Sequence, residues 1–258
     1  MLKRSIILLF AVTAIAGSIN AQVRPGLKVG YNLSGVIGDN LREFMEGEDP
    51  SLRTGDPGNF KLKSGFNAGL FADCPISDVL SIHPGAKFSM QGFQDDYRTG
   101  HSSSGIRYVN KFSLFYLQIP VYAQYRMYVA EETHLLFQAG PYVGFGLFGR
   151  QTRWSSRQGS IDINDDHKKI KFGNNPAGNT NEDIQTIDYG IGAGIGFEFF
   201  RFQLMLNYDF GLNKPKFNKR TSGGGNSTVY HLDMRNHCFS VTFAVIFGRR
   251  DPLQNIRD

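Results

Sequence analysis

Asp188-Tyr189-Gly190-Ile191-Gly192-Ala193-Gly194-Ile195-Gly196-Phe197-Glu198-Phe199 alternates without a break. Tyr189, Ile191, Ala193, Ile195, Phe197 and Phe199 fall on one side, and acids and glycines on the other. Period two over this length sets one face of a β-strand against an apolar medium and the other in a tight polar space. A half-buried strand of a soluble protein has the same pattern, so one segment decides nothing. The pattern recurs about eight times, however, and the segments are joined alternately by very short turns and long polar loops. That recurrence predicts a transmembrane β-barrel.

Working outward, the strands are predicted at Gly26–Val36, Ser64–Cys74, Val79–Phe93, about Asn110–Met127, His134–Gly149, the segment above, a run from Arg201, and Met234–Gly248. The third divides most cleanly. Leu80, Ile82, Pro84, Ala86, Phe88 and Met90 share one face, and Ser81, His83, Gly85, Lys87, Ser89 and Gln91 the other. In the fourth, Phe112–Tyr116 blurs the phase, which predicts a bulge or a strand rising above the membrane. Pro84, Pro120 and Pro141 lie inside strands, where each removes a ladder hydrogen bond. They are expected to mark bulges or register changes.

Short links follow the second, fourth and sixth strands, near Pro75–Asp78, Tyr128–Thr133 and Phe200–Arg201, and the other links are long and polar. Outer-membrane barrels are threaded this way, with short turns in the periplasm and long loops outside. A lipocalin-like soluble barrel would turn its apolar residues inward, and the Gly, Lys, Glu and Asp on the alternate face oppose that. The expected fold is all-β: a single eight-stranded antiparallel transmembrane β-barrel with short periplasmic turns and long extracellular loops.

The first residues read as targeting. Lys3 and Arg4 precede the apolar run Ile6–Gly17, and Ser18-Ile19-Asn20-Ala21 offers a small residue for cleavage. The expected division is a signal peptide over residues 1–21, a barrel over 22–248 and a short periplasmic tail over 249–258. No Cys follows the cut to support lipoprotein processing. No later stretch reaches the roughly 20 apolar residues of a membrane helix. The net charge of +5 falls to +3 without Lys3 and Arg4, too small and dispersed to argue for nucleic acid. Aromatic content is 13%, with 22 Phe and 11 Tyr. Cys74 and Cys238 fall on strands that are not neighbours in this topology and are expected to be free thiols or at most a non-structural pair, although export permits a disulfide.

The stretch Tyr116-Leu117-Gln118-Ile119-Pro120-Val121, closed by Gln124-Tyr125-Arg126, resembles the PorT-like outer-membrane β-barrel family of Gram-negative bacteria. Gln118 stands where that family's motif usually carries an acid. The opening Gly26-Leu27-Lys28-Val29-Gly30-Tyr31-Asn32-Leu33-Ser34 and the segment Tyr189–Gly196 resemble it too. The resemblance implies a barrel in the outer membrane and carries no activity. A founding member is linked to a machinery secreting surface proteins, which makes an envelope or secretion machine one reading of the partners.

Candidate chemistry is sparse. Asp95, Asp96 and His101, then Asp165, Asp166 and His167, then His231 and Asp233 would suit a small outer-membrane hydrolase or acyltransferase, yet no nucleophile is fixed beside a base. Asp165-Asp166-His167 lacks the spacing of a strong metal site. The glycines at 190–196 imitate a phosphate loop without the helix it requires. No catalytic residue, metal or cofactor is assigned.

The inward polar residues carry more information: Lys28, His83, Lys87, Arg126, Tyr142, Asp188, Glu198 and Asp209. An eight-stranded barrel is just wide enough for side chains to fill, and buried charges persist only when paired and hydrogen-bonded. These residues are read either as an ion-paired plug or as a gated, ligand-binding lumen. Lys87 and Asp209 are expected at similar heights on opposite strands, with Tyr142 near them. The loops differ in charge: Asp39, Glu43, Glu46, Glu48 and Asp49 make the first acidic, and Lys214, Lys216, Lys219 and Arg220 the last basic. Outer-membrane lipids, lipopolysaccharide phosphates included, are the expected surroundings. The function read from sequence is an integral outer-membrane barrel with a structural or surface-interaction role and a side-chain-filled interior without a continuous aqueous pore.

Intact mass of protein taken from native membranes should correspond to a chain starting at Gln22. A mature chain retaining Met1 would refute the cleavage site.

Overall fold

The computed structural model describes residues 23–38, 60–99, 106–157, 166–173, 183–214, 216–223, 226–233 and 235–248. The expected signal peptide (1–21), the tail (249–258) and the acids of the first loop lie outside them. The strands are β1 (Arg24–Ile37), β2 (Phe60–Pro75), β3 (Leu80–Thr99), β4 (Ile106–Ala130), β5 (Thr133–Arg157), β6 (Asp166–Ile170) and β7 (Phe172–Gly173). They continue as β8 (Ile184–Gln185), β9 (Ile187–Phe199), β10 (Phe202–Gly211), β11 (Lys216–Gly223), β12 (Asn226–Asp233) and β13 (Arg235–Ile246).

Eight of these strands close a ring in the order β1, β2, β3, β4, β5, β9, β10, β13 and back to β1, every pair antiparallel. Tyr31, for example, pairs with Phe66 on one side and Val241 on the other. Closure satisfies the backbone of each spanning segment from both sides, the condition for crossing hydrocarbon with strands. The side chains are dressed for lipid. Val29 (57% exposed), Leu70 (60%) and Leu206 (58%) point out, and Asn32, Asn67, Gln118 and Gln203 are buried inside. On β4 the outward apolar run from Phe115 to Tyr125 covers about 33 Å of strand. Tilted by about 40°, it spans roughly the 25 Å apolar band of an outer-membrane barrel.

Two turns need only two residues and place one in the left-handed region: Glu132 (φ 60°) between β4 and β5, and Phe200 (φ 53°) between β9 and β10. The two turns touch, Phe200 N–H donating to the Glu132 carbonyl at 3.1 Å. Cys74 and Cys238 are free.

The prolines correct the sequence reading. Pro84 pairs with Val121, Pro120 with Tyr142 and Pro141 with Ile191, all within unbroken register. In an antiparallel strand each N–H serves one neighbour, so a proline costs one bond there and leaves the other ladder intact. The register shifts lie instead at Leu62/Asn67 in β2–β3, and at Phe115/Tyr116 and Tyr128/Ala130 in β4–β5. The second of these falls inside the stretch whose phase blurs in the sequence.

The connections also differ from plain loops. β6 continues the sheet from the upper part of β5, where β9 has ended, and Arg150 pairs there with Lys169. β7, β8, β11 and β12 form a separate small sheet, so the two last connections meet. The β11–β12 hairpin pairs Gly223 with Asn226 at its tip, within a connection expected from the sequence to be a long polar loop.

The outward assignment is tested by Ile195→Arg and Leu206→Arg, a directly paired couple on β9 and β10. Each should destabilise the fold in lipid bilayers by about 2–4 kcal/mol, the cost of a basic residue near the midplane. The same change at Ser222 on β11, off the ring, should do little. Equal unfolding free energies for all three would overturn the facing.

Candidate functional site in the barrel lumen

The inward face begins at the short-turn end with Asp73, fully buried on β2. Arg24 of β1 donates to its Oδ2 through Nη2, and through Nε at 2.9 Å. His83 Nε2 lies 3.0 Å from its Oδ1, and the His83 ring stacks on Phe71 with centroids 5.4 Å apart. Arg126 of β4 reaches across, with Nη2 3.9 Å from Asp73 and 2.9 Å from Glu198 Oε2 on β9. Glu198 also accepts from Gln203 at 2.6 Å.

At mid-height, Lys87 Nζ donates to Asp209 Oδ2 at 2.6 Å, and Tyr122 Oη to Oδ1 at 3.0 Å. β3 and β10 are opposite one another in the ring, so this bond crosses the lumen. It is possible because β9 is thin on its inner side. A Cβ on Gly192 would lie 2.5 Å from Asp209 Oδ1 and 2.7 Å from Tyr122 Oη, and one on Gly194 would lie 2.3 Å from Asn207 Oδ1. Lys28 has its ammonium 5.7 Å from the centre of the Phe71 ring. A cavity of about 40 Å³ remains among Lys28, Lys87, His83, Gln138, Asn207 and Thr242, room for a few waters at most.

Higher, Asn236 donates to Asp188 at 3.2 Å. Tyr142 lies beside Asp188 and also near Asp209 and Tyr122. On β5 it falls between two rows of paired positions, one with Lys87, Gln118, Gly144 and Asp188, the other with Gly140, Gly192 and Asp209. Among the described residues of this column, the cations Arg24, Lys28, Lys87 and Arg126 are matched in number by Asp73, Asp188, Glu198 and Asp209.

Above this polar column the interior turns apolar, which the sequence reading did not anticipate. Val36, Phe93, Leu114 and Tyr116 of the wall pack with Ile170 and Ile184, and Phe112 and Phe172 join them. Ile170, Phe172 and Ile184 belong to β6, β7 and β8, so these three short strands between β5 and β9 contribute side chains to the mouth. Gly146 admits it: a Cβ there would lie 2.2 Å from the Phe172 ring.

Arg24, Asp73 and Tyr122 were missed as site residues. The inward phase of Asn67, Gly69 and Phe71 leads directly to Asp73 and could have found it, whereas Arg24 precedes the expected start of its strand. The hydrolytic candidates do not converge among the described residues. Asp95 points inward, where Asn110 donates to it at 3.4 Å, and Asp96 faces out, where Lys61 donates to it at 2.8 Å. His101 and Asp165 lie outside the described residues, as do the side chains of Asp166, His167, His231 and Asp233. Among the described residues no cluster of His, Cys, Asp or Glu is disposed to hold a metal ion.

A family model described as outer membrane protein beta-barrel domain matches residues 20–215. No curated protein matches the chain. Among solved structures the chain is similar to Ail, the attachment invasion locus protein of Yersinia pestis, in complex with the heparin analogue sucrose octasulfate. Identity there is 12%, over 88% of this chain and 99% of that one, with a TM-score of 0.36. It is similar to Neisserial surface protein A at 12% identity, over 86% and 97%, with a TM-score of 0.37. It is similar to the outer membrane protein OprG from Pseudomonas aeruginosa at 12% identity, over 88% and 95%, with a TM-score of 0.33.

The lumen geometry makes a stability prediction. Lys87→Met strands Asp209 in the interior and should cost about 3–5 kcal/mol, whereas Lys87→Met with Asp209→Leu should cost less, because a lone buried charge is the expensive state. Urea unfolding from lipid vesicles measures both. A double variant less stable than the single would overturn the pairing argument.

Proposed function

The chain belongs to the outer membrane protein beta-barrel domain family, and we propose that it works there as a closed, non-enzymatic barrel holding a surface-interaction platform. The carrying observation is the Lys87–Asp209 bond across the lumen at 2.6 Å, beneath an apolar stopper built from the β5–β9 connection. Ions passing this column would have to break buried pairs and then cross an apolar layer, each step costing several kcal/mol. A conducting porin lumen is instead water-filled.

In this reading the chain is of the PorT-like type, is exported by cleavage after Ala21, and keeps its short turns in the periplasm. The Tyr116–Val121 motif and the basic-apolar-small order of residues 1–21 support it. β3, β4 and β5 run to 20, 25 and 25 residues, well beyond the 9–11 needed to cross a bilayer. Together with the β7–β8–β11–β12 sheet they give the outer side a structured surface. Its partners are envelope components that reach the cell surface, a secretion machine among them.

Planar-bilayer recording tests the closed lumen. Purified wild-type protein should give no steady single-channel conductance. Ohmic, long-lived channels from the pure protein would overturn the proposal and favour a porin.

A further inference from the structure

The outward face just above the lipid band is basic along β2 to β6. Phe148, 53% exposed, stacks on Phe115 with centroids 4.5 Å apart and ends the apolar band on this side. Arg150 follows two residues later on the same face of β5, about 7 Å further up. It is exposed and paired with exposed Lys169 of β6. In the next row Lys111 of β4 pairs with Thr152 and Gln94, and Gln94 with Lys61 of β2. The Lys111 ammonium stands 5.3 Å from the centre of the Trp154 ring.

Among the described residues, Asp96 is the carboxylate that contacts this group, through Lys61. Arg150, Lys111 and Lys169 contact none of the described carboxylates. The exposed ammonium of Lys63 lies close enough to Lys111 for the two to repel. Repulsion among neighbouring cations on a rigid sheet is a standing cost, relieved by an anion brought from outside.

We propose that this raised basic wall binds the phosphate groups of a phosphorylated glycolipid in the outer leaflet. The occupant follows from position and charge. The cations continue upward from the lipid-facing aromatics without a gap, so a ligand here shares its surface with acyl chains. An amphiphile with an anionic headgroup meets both requirements at once. Arg150 offers a planar fork suited to phosphate, and Lys111 and Lys169 add point charges. Among the described residues the other ring strands stop lower: β1 ends at Ile37, β10 at Gly211, and β9 and β13 begin at Ile187 and Arg235. The proposal rests on the outer-membrane setting and not on the closed lumen, so a conducting lumen would leave it standing.

The test reconstitutes the full chain into phosphatidylcholine nanodiscs doped with diphosphorylated lipid A or with the same lipid stripped of its phosphates. After mild detergent re-extraction, the lipid A retained per protein is counted by mass. Wild type should retain the phosphorylated form selectively. Arg150→Gln and Lys169→Gln should each weaken retention about fivefold, the effect of one basic residue at an anionic membrane surface. Arg201→Gln, in the opposite-end turn, should change nothing. Heat-modifiable migration of each variant establishes that it is folded, and these exposed positions leave the ring and lumen untouched. Equal retention of the two lipids, or unchanged retention in the Arg150→Gln/Lys169→Gln double variant, would overturn the proposal. So would capture of the protein from undoped nanodiscs by heparin as strong as lipid A retention, since that assigns the patch to a soluble polyanion.

Discussion

A strand inside hydrocarbon has no water to satisfy its backbone, so both of its edges must be paired. In this chain the constraint is met by the β1–β13 seam, which joins the two ends of the ring over twelve residue pairs from Gly26–Ile246 to Ile37–Arg235. Much else follows from closure. Eight strands fix the radius, and the radius fixes how far a side chain must reach to touch the opposite wall. Period-two alternation becomes obligatory, because a slip of one residue would put Gln118 into lipid and Leu117 into the lumen. Proline is tolerated at Pro84, Pro120 and Pro141 because the cost is one bond, while the neighbouring ladder holds the register.

Closure also sets the electrostatic problem inside. A narrow interior excludes bulk water, and the charges it encloses must neutralise one another at short range. The chain does this in stacked layers: Arg24, His83 and Arg126 gather around Asp73 and Glu198, Lys87 and Tyr122 around Asp209, and Asn236 reaches Asp188. The layers depend on backbone as much as on charge. Residues larger than glycine at 192 and 194 would occupy the space that Asp209, Tyr122 and Asn207 now fill. The glycines that make the alternation so legible in the sequence are therefore the same residues that let charged side chains meet.

The ring and its facing were readable because a barrel strand writes its environment into every second residue. The Asp188–Phe199 segment and β3 needed nothing from distant sequence. The lumen was readable by residue type, and only partly by partner. Lys87 and Asp209 meet across the ring, and Tyr142 lies near Asp188 as well as Asp209, between the paired rows of Lys87 and Asp209. Asp73 was implied by phase, whereas Arg24 lay outside the expected strand. The stopper was not readable. Ile170, Phe172 and Ile184 are isolated apolar residues in polar surroundings, with no period, and their role appears only when the β5–β9 connection is folded against Gly146.

The ring is symmetric in its pairing and asymmetric in its height. β9 leaves the ladder at Ile187, and β5 continues past it with β6 as its new neighbour. This exchange of partners has two consequences from one geometric cause. Because β6 replaces β9 beyond Ile187, β7 and β8 come to lie in the mouth, where Phe172 and Ile184 pack with Val36, Phe93, Leu114 and Tyr116 of the wall. Because β5 keeps a paired edge there, β3, β4 and β5 can stand well above the band as ordered sheet, and hold Arg150, Lys111 and Lys169 at fixed spacing. A flexible loop with the same charges would lose more side-chain and backbone freedom on meeting a ligand. The stopper and the basic wall are thus the inner and outer faces of one construction, and a change that detaches β6 from β5 acts on both.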